Sequence, residues 1–497
     1  MLFLCLAILK IKKCCCILVI NSLQRIPPCR PSFQTGQGFP HSGLDRFFRK
    51  PSSNRITQIQ SGIFANLTQL EELDLSSNKI TMIQSGAFAK LLRLQDLDLC
   101  YNQVTGIPVA LLADLISLKS LFLMKNKISM IMPGTFANVP RLQQLDLSFN
   151  QITKVESGTI GNLPRLYRLH LDSNQITEIP AGAFTNLPQL NSLELSKNQI
   201  SMIQPGAFAN LTSLEVLRLY NNQITMMQPS MFAKQPRIQM LYLSSNNITT
   251  IQEGSFAYLT KIKSLYLCKN QITTILPGAF ANLQWLEELR LCNSPITMLP
   301  PYVFANSTRL QKLYLSRNQI SKIHATTLAN LTQLQMLDLS SNKIGKIHAG
   351  TFADTHQLKG LYLSNNQITM IQPGLFVNLH WLKDLVLSSN NITKIQLGQY
   401  QPITKSNTTD AVVTSGHDHQ YEDMDKHYQR WQGQSQAINK NPTTAVTTGH
   451  GQQYEDMNQH DQTGQGQCQT TTEHLDARNL SYGSGPTASQ LNSLYAN

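Results

Sequence analysis

The chain lacks every short pattern that usually announces catalysis. It contains no HExxH, no GxSxG, no GxxxxGK[ST] and no CxxC. Zinc hydrolysis, serine-nucleophile acyl transfer, phosphate cradling and dithiol exchange therefore have no local footing. The histidines are scattered, with His324 and His348, or His417 and His419, as the nearest approach to pairs. No enzyme activity, cofactor or metal is expected. Long apolar runs are missing as well. The stretch Leu2 to Leu9 is followed by Lys10, Lys12 and Lys13 before Cys14 to Ile20 resumes. Neither piece reaches the roughly 20 residues that cross a bilayer. The lysines also fall inside the apolar region rather than ahead of it, unlike an ordinary secretory signal. Residues 1–50 are read as a targeting or anchor-like segment of the secretory route, with no membrane span evident. Cysteine is sparse too: 9 in 497 residues exclude a disulfide-framework protein.

What the chain does have is a period. Asparagine recurs every 24 residues at Asn54, Asn78, Asn102, Asn126, Asn150, Asn174, Asn198, Asn222, Asn246 and Asn270, then at Asn318, Asn342, Asn366 and Asn390. The single gap is filled by Ser294. Self-similarity of this kind marks a repeat array, here about 15 units over residues 51–398. One unit reads Leu70, Leu73, Leu75, Asn78, Ile80, Ile83, Gly86, Phe88, Leu91. Leu73-Asp74-Leu75 alternates with period two, which predicts a short strand with one buried face. The Asn follows where the chain turns, and its amide both donates and accepts, so a column of them can satisfy backbone groups freed there. Gly86, Gly134, Gly182, Gly206, Gly254, Gly278, Gly350 and Gly374 suit a tight return on the outer side. A single unit buries too little apolar surface to fold, so each must close its neighbour's open side.

This frame, LxxLxLxxNxIxxIxxGxFxxL, resembles the extracellular-type leucine-rich repeat. The resemblance implies an α/β solenoid, curved, with a parallel sheet on its concave face. It also implies a recognition role rather than catalysis. The chain resembles a single-pass receptor of that family without its C-terminal cysteine cap and membrane span; only Cys29 hints at an N-terminal cap. Cys268 and Cys292 lie one period apart, which places them on adjacent strands within disulfide reach. Cys100 shares their phase with no such neighbour, and Ser is the common occupant, so a small Ser-like filler is the expectation for this position.

The formal net charge of +12 is unevenly placed. Residues 399–497 carry 5 Lys/Arg against 10 Asp/Glu, a net of −5, which leaves +17 on residues 1–398. A basic solenoid favours acidic partners such as sulfated glycans, anionic lipid or acidic protein, and a solvated outer face is the alternative. Along the strands the solvent-facing residue is Asp74, Asp98, Phe122, Asp146, His170, Glu194, then Arg218, Tyr242, Tyr266, Arg290, Tyr314, Asp338, Tyr362 and Val386. Tyr and Arg are the residue types most enriched at binding hot spots. Arg218, Tyr242, Tyr266, Arg290, Tyr314 and Tyr362 are therefore the candidate ligand-binding residues, for a protein or an acidic glycan and not for nucleic acid. The early Asp column is read as surface.

Asn-x-Ser/Thr acceptors occur at Asn66, Asn210, Asn247, Asn306, Asn330 and Asn391, and again at Asn407 and Asn479. They fit glycosylation on an extracellular or cell-surface chain. Residues 399–497 are rich in Gln, Thr and Gly and poor in aliphatics, a composition that predicts disorder. A segment containing Tyr421-Glu422-Asp423-Met424 returns 33 residues later with Tyr454-Glu455-Asp456-Met457. Tyr-x-x-Met resembles the phosphotyrosine motif read by SH2 domains, so Tyr421 and Tyr454 are phosphorylation candidates if that tail is cytosolic. The readings that stand are a receptor's ligand-binding region with a signalling tail, a secreted matrix or scaffold protein without signalling output, or a non-catalytic subunit holding an enzyme.

Overall fold

The computed structural model describes residues 54–395, apart from residues 210 and 234. The targeting segment, Asn210, Asn407, Asn479, Tyr421, Tyr454 and the whole tail lie outside the described residues. Fourteen strands form one parallel sheet in strict chain order, from Glu72–Asp74 to Asp384–Val386. The register advances by one period at each step, so Leu73 faces Leu97, Leu97 faces Leu121, and Arg218 faces Tyr242. The positions one period before Glu72–Asp74 lie outside the described residues.

The central leucine of each strand points into one continuous core. Leu73, Ile80, Phe88 and Leu91 are buried, and so are their counterparts along the array. The Phe column stacks between units, with ring centroids 6.1 Å apart for Phe64 and Phe88 and 5.7 Å for Phe280 and Phe304. In the last described unit Leu382, Leu385, Leu387 and Ile392 are half-buried.

The asparagines form the ladder expected of them. In Asn102 the Oδ1 accepts from the Ile80 N–H of the preceding unit at 3.0 Å. Its Nδ2 donates to Leu75 O at 3.0 Å and to Leu99 O at 3.1 Å. Each amide thus ties two units together while satisfying carbonyls that the strand ladder leaves open. The residue just before each of these asparagines sits in the left-handed region, at φ 55° in Ser77, 56° in Tyr101 and 54° in Lys125. The inter-unit bonds over-determine that conformation and hold it.

On the outer side no α-helix occurs among the described residues. The helical share of the α/β architecture shrinks to four 3-10 turns, Val109–Leu112, Pro229–Phe232, Ala325–Leu328 and Ala349–Phe352. Two-residue parallel pairs such as Gln58–Ile59 with Met82–Ile83 complete the outer return. The glycines behave as expected with one exception. Gly86, Gly134 and Gly374 take φ of 79°, 83° and 75°. Gly350 instead lies within the Ala349–Phe352 turn without a left-handed φ, because the 3-10 hydrogen bonds replace the glycine turn there. Cys268 and Cys292 are not Ser-like fillers: they form a disulfide with Cα atoms 4.5 Å apart. Parallel strands in perfect register bring equivalent positions of adjacent units within bonding range. Cys100 is buried and free.

Candidate functional site

Because side chains alternate along a strand, every strand turns its first and third residues away from the core, and the sheet face carries two columns of side chains, one residue per unit in each. The segment from Arg218 to Tyr362 does more than line up. Tyr242 and Tyr266 stack at 4.6 Å between centroids with 6° between planes. Together with Tyr220, Val216 and Met240 they form a second apolar cluster, separate from the core and on the opposite face of the sheet. Arg218 lies 5.1 Å from the Tyr242 ring. Arg290 is held between two rings, 5.4 Å from Tyr266 and 4.5 Å from Tyr314. Cation–π contacts of this kind stiffen both partners.

Carboxylates neutralise the two arginines. Arg218 Nε is 3.5 Å from Glu194 Oε2, and Arg290 Nε is 2.6 Å from Glu288 Oε1. Tyr266 donates its hydroxyl to Glu288 Oε2 at 3.4 Å. The Tyr314 hydroxyl donates to Met336 Sδ at 3.1 Å. Burial raises the Tyr314 phenol to about 12 against the pull of Arg290, and burial likewise raises Tyr242 and Tyr266. All three therefore stay protonated hydrogen-bond donors near neutral pH. At the far end, Gly360 makes room for Tyr362: a Cβ there would meet the ring at 3.0 Å.

The structure thus brings Arg218, Tyr242, Tyr266, Arg290 and Tyr314 into one connected row, with Tyr362 two units beyond Tyr314. It also changes what they are. Tyr242, Tyr266 and Arg218 are only 5%, 7% and 9% exposed, so much of their area is spent on each other. The face is less basic than its arginines suggest, although Lys269, Lys312 and Arg317 flank it as exposed side chains. Glu194, Glu288, Tyr220 and Met240 belong to the arrangement and were not singled out from sequence. Glu194 is marked by its phase, 24 residues before Arg218, and Glu288, Met240 and Tyr220 by lying two residues from Arg290, Tyr242 and Arg218 on the same face.

The acidic end has a structural task. Asp74, Asp98 and Asp146 accept the backbone N–H two residues on, from Ser76 at 2.9 Å, Cys100 at 2.8 Å and Ser148 at 2.9 Å. Burial pushes the Asp98 carboxyl up to about 6, with Asp74 and Asp146 adding to it and the Cys100 bond opposing. Burial and then Glu194 push Asp172 up to about 7. Among the described residues no three His, Cys, Asp or Glu side chains converge to hold a metal, and no helix is long and apolar enough to cross a membrane. The acceptor asparagines Asn66, Asn247, Asn306, Asn330 and Asn391 are all exposed.

Compared with known proteins, the chain matches the family model described as Leucine rich repeat at residues 52–104, 93–152, 164–224, 213–272, 236–291, 284–344 and 337–392, and a two-copy model of the same repeat at 140–186. No curated protein sequence matches it. Among solved structures it is similar to a leucine-rich repeat protein of Leptospira interrogans, at 24% identity and TM-score 0.56, covering 72% of this chain and 95% of that one. It is similar to the structure of the Toll–Spatzle complex from Drosophila at 22% identity and TM-score 0.55, over 70% of this chain and 55% of that one. A plant peptide hormone receptor, RGFR1 in complex with RGF2, matches at 26% identity and TM-score 0.53, over 69% of this chain and 57% of that one. The chain thus spans little more than half the length of the last two.

Proposed function

This chain belongs to the leucine-rich repeat family, and from that premise we propose that it is a recognition protein whose sheet face between Arg218 and Tyr362 binds a protein ligand. The observation that carries the reading is the second apolar cluster. Stacked Tyr242 and Tyr266 with Tyr220, Val216 and Met240 lie outside the core, on a sheet face, framed by two neutralised arginines. A rigid aromatic surface with satisfied charges suits a protein, which brings both apolar area and hydrogen bonds. It suits a sulfated glycan less, because Glu194 and Glu288 already occupy Arg218 and Arg290. Two structures of similar fold are complexes with Spatzle and with RGF2, which supports a protein-binding role.

The same reading extends to location and output. Exposed acceptors at Asn66, Asn247, Asn306, Asn330 and Asn391 fit a chain that travels the secretory route and works at the cell surface or outside the cell. Tyr421 and Tyr454 are proposed as phosphorylated docking sites for an SH2 partner in a cytosolic tail. Glycans found on Asn407 or Asn479 of native protein would place that tail outside the cell and end the signalling part of the proposal.

Binding is tested at the two rings that can be removed most cleanly. Tyr242 and Tyr266 are packed so fully that their truncation also costs stability, whereas Tyr314 and Tyr362 are half-buried. Full-length Tyr314→Ala/Tyr362→Ala should lose at least about tenfold in affinity for the partner captured by the wild-type chain, the scale of a hot spot of roughly 2 kcal/mol. Asp74→Asn/Asp146→Asn should bind normally. The reverse outcome would move the site to the acidic end.

A further inference from the structure

We propose that the Cys268–Cys292 disulfide is a conditional staple: it substitutes for the missing asparagine rung, and its reduction loosens the array at that one junction. The proposal concerns the junction itself and stands whatever ligand the sheet face takes.

The ordinary junction sets the comparison. Between the units of Asn246 and Asn270, Asn270 Oδ1 accepts from Ile248 N at 3.2 Å, and its Nδ2 donates to Leu243 O at 3.0 Å and Leu267 O at 2.8 Å. The next residue, Gln271, donates its N–H to Ile248 O at 3.0 Å. One unit further on, Ser294 replaces the Asn and Pro295 replaces the Gln. The Ser294 hydroxyl is too short for the amide's reach and accepts instead from Asn270 N at 3.3 Å. Pro295 has no N–H, so the bond that Gln271 makes has no counterpart. Every other described unit has an N–H donor at this position. The disturbance continues on the far side, where Asn318 Oδ1 accepts from Ser294 N at 3.2 Å rather than from the residue two further along.

The outer return offers no relief. Thr250–Ile251 pairs with Thr274–Ile275, and bridges join Met298 to Lys322 and Lys322 to Lys346; among the described residues no pairing joins the 274 and 298 positions, as at several other junctions of the array. Pro300 stands where Leu276 donates its N–H to Ile251 O. Of the hydrogen bonds only the strand ladder remains ordinary, with Leu267 N bonded to Arg290 O and Lys269 N to Cys292 O, both in the 2.8–2.9 Å range, while the stack of Phe280 on Phe304 persists in the core. At this depleted junction, and at no other among the described residues, a covalent bond joins the two units. Each cysteine lies two residues before the rung position it supports, Cys268 before Asn270 and Cys292 before Ser294.

In a solenoid each unit is held by its neighbours alone, so a weak interface is where the array divides. The staple sits beside Tyr266 and Arg290, whose strands pair across the same junction. Cys268 is fully buried and Cys292 is 8% exposed, which makes Cys292 the point of attack. A dithiol reductant attacks Cys292 Sγ, forming a mixed disulfide and releasing Cys268 as the thiolate, which takes up a proton. The reductant's second thiol then closes its own disulfide and releases Cys292. Two electrons and two protons pass to the protein pair, and the reductant is oxidised.

The test is hydrogen exchange on the full chain, oxidised and then treated with dithiothreitol. Exchange in peptides spanning 268–299 should rise roughly ten- to a thousandfold on reduction, the range expected for loss of a native disulfide, while peptides spanning 144–200 stay unchanged. Ser294→Asn/Pro295→Gln restores the amide rung and the N–H, so this variant should show little response to the same treatment. If Cys268→Ser/Cys292→Ser folds, it should match the reduced protein and ignore dithiothreitol; if it does not fold, the reduced wild type still reports. Exchange that is unchanged on reduction, or raised equally throughout, would overturn the proposal. So would a restored-rung variant that responds like the wild type, or free thiols at both cysteines in the freshly secreted protein.

Discussion

Asn198 shows how much one side chain carries. Its Oδ1 takes the Ile176 N–H at 3.0 Å, and its Nδ2 gives to Leu171 O at 3.0 Å and Leu195 O at 3.1 Å. Asn198→Ala leaves those buried groups unpaired and should cost about 1–3 kcal/mol in a urea melt of the full chain; a change within error would make the column ornamental. This role was legible because a residue that recurs in phase beside a turn must answer the backbone there. The Asp column is less legible. Asp-x-Ser spells a carboxylate accepting from the N–H two residues on, as Asp146 does from Ser148, and that local signal identifies it as structural. Asp98 adds a pH dependence. Its folded value of about 6 lies above the unfolded value near 4, so its contribution is complete below pH ~4 and is lost as pH rises through ~6. Asp98→Asn should therefore be more stable than the wild type by about 2–3 kcal/mol at pH 7.5 and equal to it near pH 4. Equal stability at both pH values would contradict the burial argument.

At the scale of the element, the strands were plain in the sequence and the outer returns were not. A period-two triplet bounded by core leucines admits one reading, and its register follows from the 24-residue repeat. The outer segments admit several turns, and which one forms depends on neighbouring units. Gly374 and Gly350 occupy the same phase and illustrate the difference. Gly374 has φ 75° and Gly350 has no left-handed φ, while a Cβ would meet nothing within 4 Å at either. Gly374→Ala should therefore destabilise by roughly 1–2 kcal/mol from backbone conformation alone, and Gly350→Ala should be neutral or stabilise by about 0.4–1 kcal/mol. Thermal melts of the two variants decide it, and equal effects would show that the turns are interchangeable. The tyrosines teach a related lesson. Their places on the sheet face followed from phase, but the stacking of Tyr242 on Tyr266 did not. Which way a ring leans along the ladder is a rotamer choice that only the packed neighbours settle.

Across the whole solenoid, fourteen strands in one register turn a repeated sequence into a surface that varies only along its length. Repetition supplies the core and the ladder, and variation is left to the column facing away from the core, where aromatic and cationic residues gather between Arg218 and Tyr362. With strands about 4.8 Å apart, Tyr242 to Tyr362 spans five steps, a strip about 24 Å long. The most direct test is a hydrogen-exchange footprint of the full chain with and without its captured protein partner. The account predicts protection concentrated in the strands from Val216–Arg218 to Gly360–Tyr362 and little change in those from Glu72–Asp74 to Gln144–Asp146. Protection centred on the acidic strands, or confined to the outer returns, would contradict it.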